Sequence, residues 1–135
     1  MRRGLSPDDL SELLHSTLAC TLATYRKNGE VLLSPVWFEW RDGAFDIIVG
    51  RDDVKARHLH RDSRASVVLY DSRPPYAGIE VRGRGEFLTE GIPELRRAIW
   101  QRYTGRQPPS DDSTEVRVRV SGEVRAWDFA DDYPE

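Results

Sequence analysis

Two tight-turn signals, Asn28-Gly29 and Asp42-Gly43, constrain the fold of this chain more than any other feature. Each separates short apolar runs, and Asn-Gly accepts the positive φ angles of a type I′ hairpin turn. Ala19 to Tyr25, Val31 to Trp40 and Ala44 to Val49 are therefore predicted as three successive antiparallel strands. Pro35 lies inside the second. It removes a ladder donor, so it marks an edge, a bulge or a break.

The remaining elements follow from periodicity and punctuation. Ser6-Pro7-Asp8-Asp9 is a helix start, with Ser at the N-cap and Pro at the first position. Leu10, Leu13 and Leu14 give that helix one apolar face, and it should end near His15 or Ser16. Gly50 breaks the third strand, and a short helix capped by Asp52 or Asp53 follows. Ala65 to Tyr70 is a compact strand, and Asp71 to Pro75 a rigid loop. Tyr76 to Leu88 alternates as a strand with Ile79 and Val81 inward, and Gly83 and Gly85 read as bulge or bend sites. Pro93 opens a helix carrying Leu95, Ile99 and Trp100 or Tyr103, before a polar loop from Gly105 to Ser113. Thr114 to Phe129 is the last strand or bent pair, and the acidic tail from Ala130 reads as loose.

About six strands with three short helices make the chain mainly β, an antiparallel barrel or bent sheet. With 135 residues it is expected to be one domain spanning 1–135. Four Trp and five Tyr exceed what a small barrel interior holds easily, so some should sit at a subunit interface or over a ligand.

Composition narrows the function classes. A net charge of −3 gives no global pull towards nucleic acid. One cysteine, Cys20, rules out an internal disulfide and reads as a small core residue rather than a nucleophile. No run reaches transmembrane length and the N-terminus lacks a signal-peptide core, so a cytoplasmic protein without a membrane partner is expected. His58 and His60 resemble a metal pair, but residues two apart on a helix point about 200° from each other. No metal site is expected, and His15 reads as structural. Neither a P-loop nor a G-x-G-x-x-G fingerprint is present, and no hydrolytic machinery is recognisable. Asp8-Asp9 and Asp52-Asp53 read as helix caps rather than acid–base pairs.

The sharpest chemical signal is the stretch from Ile47 to Asp62. Lys55 and Arg57 fall near the start of its helix, where unpaired N–H groups and the dipole favour an anion. All but two of the 20 basic residues are arginine, which makes Lys55, with Lys27, stand out. Either an anion such as a phosphate occupies this place, or the two residues form a solvated basic face. Upstream lies the proline-interrupted, aromatic segment Ser34-Pro35-Val36-Trp37-Phe38. A flat heteroaromatic cofactor with a phosphate tail would use both: backbone at the strand interruption for the ring edge, and the helix start for the phosphate.

The order of these motifs resembles the pyridoxamine 5′-phosphate oxidase-like split β-barrel proteins, and within them the small actinobacterial F420-dependent reductases. The matching features are Leu22-Ala23-Thr24 with its Asn28-Gly29 hairpin, Ser34 to Phe38, and Ile48-Val49-Gly50. Lys55-Ala56-Arg57-His58-Leu59, Arg61 to Ala65 and the Tyr76 to Phe87 strand complete the series. The resemblance implies a split antiparallel β-barrel and a homodimer with two cofactor sites at the interface. It implies hydride transfer between F420 and a small organic substrate, with no residue acting as a covalent catalyst. FMN is the alternative cofactor, and a non-catalytic flavin or haem binding protein the alternative function. Lys55 and Arg57 would contact the phosphate. Ser34, Pro35, Val36 and Trp37 would line the ring, with Ile48, Val49 and Gly50 beside it and Tyr76 on the substrate side. Similar proteins often carry a basic residue just before the lysine helix, where this chain has Asp53; Arg51 would substitute from two residues earlier.

Overall fold

The computed structural model of the protein describes residues 1–110 and 114–132. Its strands are β1 (Arg2–Arg3), β2 (Cys20–Tyr25), β3 (Val31–Val36), β4 (Glu39–Arg41), β5 (Ala44–Gly50), β6 (Arg64–Tyr70), β7 (Gly78–Leu88) and β8 (Glu115–Asp128). The helices are α1 (Ser11–Leu14), α2 (Val54–Arg61) and α3 (Ile92–Thr104), with 3-10 turns at Pro7–Leu10 and Ala130–Asp132. All strands pair antiparallel in one sheet ordered β3-β2-β6-β7-β8-β5-β4, and β1 lies along β8.

That order forces the shape. β3 and β4 are separated in the chain only by Trp37 and Phe38, yet they stand at opposite ends of the sheet. Three peptide steps reach at most about 11 Å. The sheet therefore curls until its two edges nearly meet, giving a split antiparallel β-barrel. Pro35 sits on the edge strand β3, where its missing N–H costs no ladder bond on the open side. The sequence expectation of one long second strand thus resolves into two. With the short β1, this accounts for eight strands among the described residues rather than about six.

The barrel interior is filled from every strand. Leu22, Ile47, Val67, Leu69, Ile79, Val81, Val118 and Val120 are buried, and the Phe38 and Phe45 rings meet edge to face 5.0 Å apart. Leu10, Leu13 and Leu14 close over this core from the first helical segment. There the Ser6 N–H donates to the Asp9 carboxylate at 2.8 Å, one half of the expected capping box. Ala56 and Leu59 of α2 are buried too.

Three local expectations are corrected. At Asn28-Gly29 only Gly29 has positive φ, at 86°. The Gly29 N–H bonds to the Arg26 carbonyl and the Arg26 N–H to the Glu30 carbonyl, both at 2.9 Å. This is a three-residue loop with a bulge-type glycine, not a type I′ turn. Asn28 instead uses its side chain, whose Oδ1 accepts the Glu30 N–H at 3.0 Å. The type I′ geometry occurs at the other hairpin, where Asp42 and Gly43 have φ of 52° and 74°. Gly83 and Gly85 are not bulges, because the β7–β8 register runs unbroken from Gly78↔Trp127 to Leu88↔Arg117. Gly83 faces Gly122 instead, so closely that a Cβ on Gly83 would lie 1.9 Å from the Ser121 carbonyl oxygen. Ala130–Asp132 forms a 3-10 turn whose Asp132 carboxylate lies 3.3 Å from the N-terminal amine. The rest of the expected loose tail, and the end of the 105–113 loop, fall outside the described residues.

A cleft between the strand break and two helices

The break between β3 and β4 is held open from the outside by α3. The Tyr103 hydroxyl donates to the Leu18 carbonyl at 2.9 Å and accepts the Phe38 N–H at 3.4 Å. The Arg102 guanidinium lies over the Phe38 ring and donates to the Ser16 carbonyl and to Glu39, each at 3.1 Å. Phe38 is thereby turned into the core. Trp37 is turned the other way, stacked on Tyr103 at 4.8 Å between ring centroids and edge-on to Trp100 at 5.9 Å.

Trp37 forms one wall of a half-open cleft of about 250 Å³. Pro35 and Val36 continue that wall. Ile48, Val49 and Gly50 of β5, Ile99 and Trp100 of α3, and Asp53 and Lys55 at the start of α2 line the rest of it. Seven of the residues expected from sequence therefore meet in one place: Pro35, Val36, Trp37, Ile48, Val49, Gly50 and Lys55. The others do not line it. Ser34 points inward and is buried opposite Leu22. Arg57 is exposed on α2, and Arg51 is exposed with its backbone N–H on the Thr114 carbonyl. Tyr76 sits in the β6–β7 loop with φ of 58°, its ring near that of Phe129.

An anion does sit at the start of α2, and the chain itself supplies it. Asp53 is the N-cap: its Oδ1 accepts the Lys55 backbone N–H at 3.3 Å, and its Oδ2 accepts from Lys55 Nζ at 2.9 Å. The bond from the Lys55 ammonium is the main cause holding the Asp53 carboxyl below the usual carboxylate range. Arg96, from α3, is the second cation of the cleft. It is buried, with Nε 2.5 Å from Glu115 and its Nη1 on the Ser110 carbonyl. Glu115 also lines the cleft, so two cations face two carboxylates. Sequence reasoning missed Arg96. It lies four residues after Ile92 and three before Ile99, on the stripe that α3 turns towards the sheet, and a charge in such a position is itself a signal.

The two histidines of α2 do part as their spacing implies. His58 is buried with Nδ1 3.0 Å from the Thr24 hydroxyl, and burial is the first cause lowering its pKa. His60 is exposed and stacks on Phe87 at 3.9 Å. Among the described residues no three His, Cys, Asp or Glu side chains gather as a metal cage, and no helix is long and apolar enough to cross a membrane. The lining of the cleft suits part of a flat ring with an anion at one end. Trp37, Ile48 and Ile99 offer apolar contact, the Pro35–Val36 and Val49–Gly50 segments offer backbone, and Lys55 stands at one end.

Known structures share this architecture. A conserved hypothetical protein of Mycobacterium tuberculosis matches with a TM-score of 0.79 and 26% identity, over 93% of this chain and 86% of its own. An F420 reductase matches with a TM-score of 0.74 and 24% identity, over 85% and 94%. An FAD-binding protein of Mesorhizobium loti matches with a TM-score of 0.67 and 20% identity, over 93% and 97%. At the last two identities the likeness is one of fold. No curated protein sequence matches the chain. Residues 6–128, nearly the whole curled sheet and the residues that line its cleft, match the family described as pyridoxamine 5′-phosphate oxidase, and the chain belongs to that family.

Proposed function

We propose that this protein is a cofactor-dependent oxidoreductase whose cleft holds F420 and passes a hydride between it and a small organic molecule. The observation that carries this reading is the convergence of the strand break Pro35–Trp37, the β5 segment Ile48–Gly50 and Lys55 on one cleft. Family membership, and the fold shared with an F420 reductase, support it further. The bound cofactor would supply the hydride chemistry. The protein's part is to seat the ring against Trp37 and Ile48, to keep water away with Ile99 and Trp100, and to bind the phosphate through Lys55. Arg57 and Arg51 would serve as outer cations, and Tyr76 as the substrate-side residue.

FMN is the second reading, and Asp53 is the observation that favours it. F420 carries an acidic glutamate tail, and a carboxylate at the phosphate end is a poor neighbour for one. Absorbance and fluorescence titration of the purified protein with F420 and with FMN tests both readings. Micromolar binding of either, followed by hydride transfer from its reduced form to an added acceptor, is the expected result. Binding of neither would overturn the proposal, and FMN tighter by tenfold, about 1.4 kcal/mol, would reverse the order.

The reading includes a second copy of the chain. The cleft's 250 Å³ is small for a ring and tail together, since ligand pockets commonly reach about 300–1,000 Å³. Val31 and Leu33 on the edge strand and Tyr70 at the end of β6 are exposed apolar groups a partner would cover. Sedimentation is expected to show a homodimer, with an interface on the order of 2,000 Å². A stable monomer near 15.5 kDa would remove this part of the proposal.

A further inference from the structure

The contact between Asp53 and Lys55 goes beyond helix capping. An N-cap carboxylate needs only the backbone N–H groups of the first turn. Asp53 also holds the ammonium of Lys55, inside the cleft and at the end where a ligand phosphate would lie. The Lys55 side chain is mostly buried, 19% exposed, while that of Asp53 is 38% exposed. The carboxylate can therefore swing towards solvent, and the lysine cannot follow it far.

Resting on the reading of this cleft as a cofactor site, we propose that Asp53 is its specificity-determining residue: the carboxylate occupies the place of a ligand phosphate on Lys55, and the ligand enters by displacing it. A free anion gains little by this exchange. It breaks one carboxylate–ammonium pair to form another, and it gives up its own hydration and freedom of movement. A phosphate joined to a ring is different, because burial of the ring against Trp37, Ile48 and Ile99 adds a favourable term that the bare anion lacks. Asp53 thus keeps small phosphates and carboxylates out of the cleft and admits phosphate only as part of a larger, flat ligand. Selection by displacing a resident charge is a form of discrimination against the wrong ligand.

The inference predicts a gain of binding. Asp53→Ser keeps an N-cap oxygen, since serine is as good a cap as aspartate, and releases Lys55. Pyrophosphate is then expected to bind at least tenfold tighter than to the parent, read as a rise in melting temperature and by calorimetric titration. Asp53→Asn, which keeps the side-chain shape and removes the charge, should do the same and covers the case in which the serine variant folds poorly. Asp52→Ser is the control: it removes an equal charge from the neighbouring exposed residue and should leave pyrophosphate binding at the parent level. Adding Lys55→Met to Asp53→Ser should abolish the gain.

Two results would overturn the inference: a parent that already binds pyrophosphate as well as Asp53→Ser, or an Asp52→Ser variant that gains as much. These readouts involve no flavin. If neither F420 nor FMN binds the parent while pyrophosphate behaves as described, the cofactor reading fails and the displaced-carboxylate site stands.

Discussion

Trp37 lies face to face on Tyr103, with ring centroids 4.8 Å apart and planes within 6° of parallel. This stack ties the two-residue break between β3 and β4 to the helix across the cleft. Tyr103 reaches both residues of the break: its ring carries Trp37 and its hydroxyl takes the Phe38 N–H. Burial raises the pKa of that hydroxyl. It therefore stays protonated and keeps donating to the Leu18 carbonyl.

Tyr103→Phe should keep the stack and lose the hydroxyl's three hydrogen bonds, to the Leu18 carbonyl and from the Phe38 N–H and Arg102 Nη2. A removed bond that leaves a buried carbonyl unpaired costs about 1–3 kcal/mol, which for a chain of this size lowers the melting temperature by several degrees. Tyr103→Leu also removes the ring contact with Trp37 and should cost more, and it should loosen the cleft wall. Chemical denaturation of the two variants, read beside cofactor titration, separates the effects. Equal stability of parent and Tyr103→Phe would mean that the hydroxyl holds nothing.

Much of this frame is legible in the chain. Strand limits follow from Gly29, Gly43 and Gly50 to within a residue or two, and of the edge, bulge or break that Pro35 left open, the structure gives the edge, with the break two residues later. What local sequence does not carry is the order of pairing. That β3 and β4, neighbours in the chain, close opposite edges of the sheet depends on contacts between distant strands. The Lys55–Asp53 pair was hidden for another reason. A cap at Asp52 or Asp53 and an anion beside Lys55 were separate expectations, and only side-chain rotamers show that Asp53 and Lys55 satisfy each other. Arg96 was hidden by its type, because in a chain so rich in arginine one more reads as surface.

Asp46 should be the most sensitive polar position of the sheet. It is fully buried on β5 and takes bonds from Arg117 Nη2 at 2.7 Å and from Arg119 Nε at 2.8 Å. Arg117 also donates to the Glu90 carbonyl, at the turn into α3. Asp46→Ala leaves two guanidinium groups without their shared counter-charge and should cost about 3–5 kcal/mol. Arg117→Met should cost clearly less. Asp46 keeps both bonds from Arg119, and Arg117 Nε is already buried without a partner. Urea midpoints give the order, and a larger loss for Arg117→Met would contradict it.

Cys20 predicts an alkaline limit to stability. It is fully buried on β2, and burial pushes its thiol up to about 12. An unfolded thiol ionises near about 8.5. The raised folded pKa means that the unfolded chain releases its proton first. This contribution to stability is intact below about pH 8.5 and is lost progressively as pH rises towards 12. The slope should approach about 1.4 kcal/mol per pH unit for this one group. Tyr103 adds to the parent's slope, so the useful quantity is the difference between parent and Cys20→Ala, which should be flatter between pH 9.5 and 11.5. Parallel curves would show that the thiol does not titrate on unfolding in this range. The same burial predicts that native protein resists thiol reagents until it is denatured.

Lys55 is the position on which the proposed site stands. Lys55→Ala removes the ammonium and leaves the Asp53 carboxylate facing the cleft alone. An incoming phosphate then loses a charge-assisted bond, worth about 1.5–3 kcal/mol, and meets an uncompensated negative charge. Affinity for F420 or FMN should fall by about tenfold to a hundredfold or more. Folding should change little, because a partly exposed pair of this kind contributes about 0–1 kcal/mol. Arg57→Ala should weaken binding less than Lys55→Ala, since Arg57 is exposed and does not line the cleft. His60→Ala should leave affinity unchanged, since its ring stacks on Phe87 away from the cleft. Cofactor titration and melting curves on the three variants read affinity and stability separately. Should Lys55→Ala bind cofactor as tightly as the parent, the start of α2 is no phosphate site, and the ring would have to be held by the strand break and α3 alone.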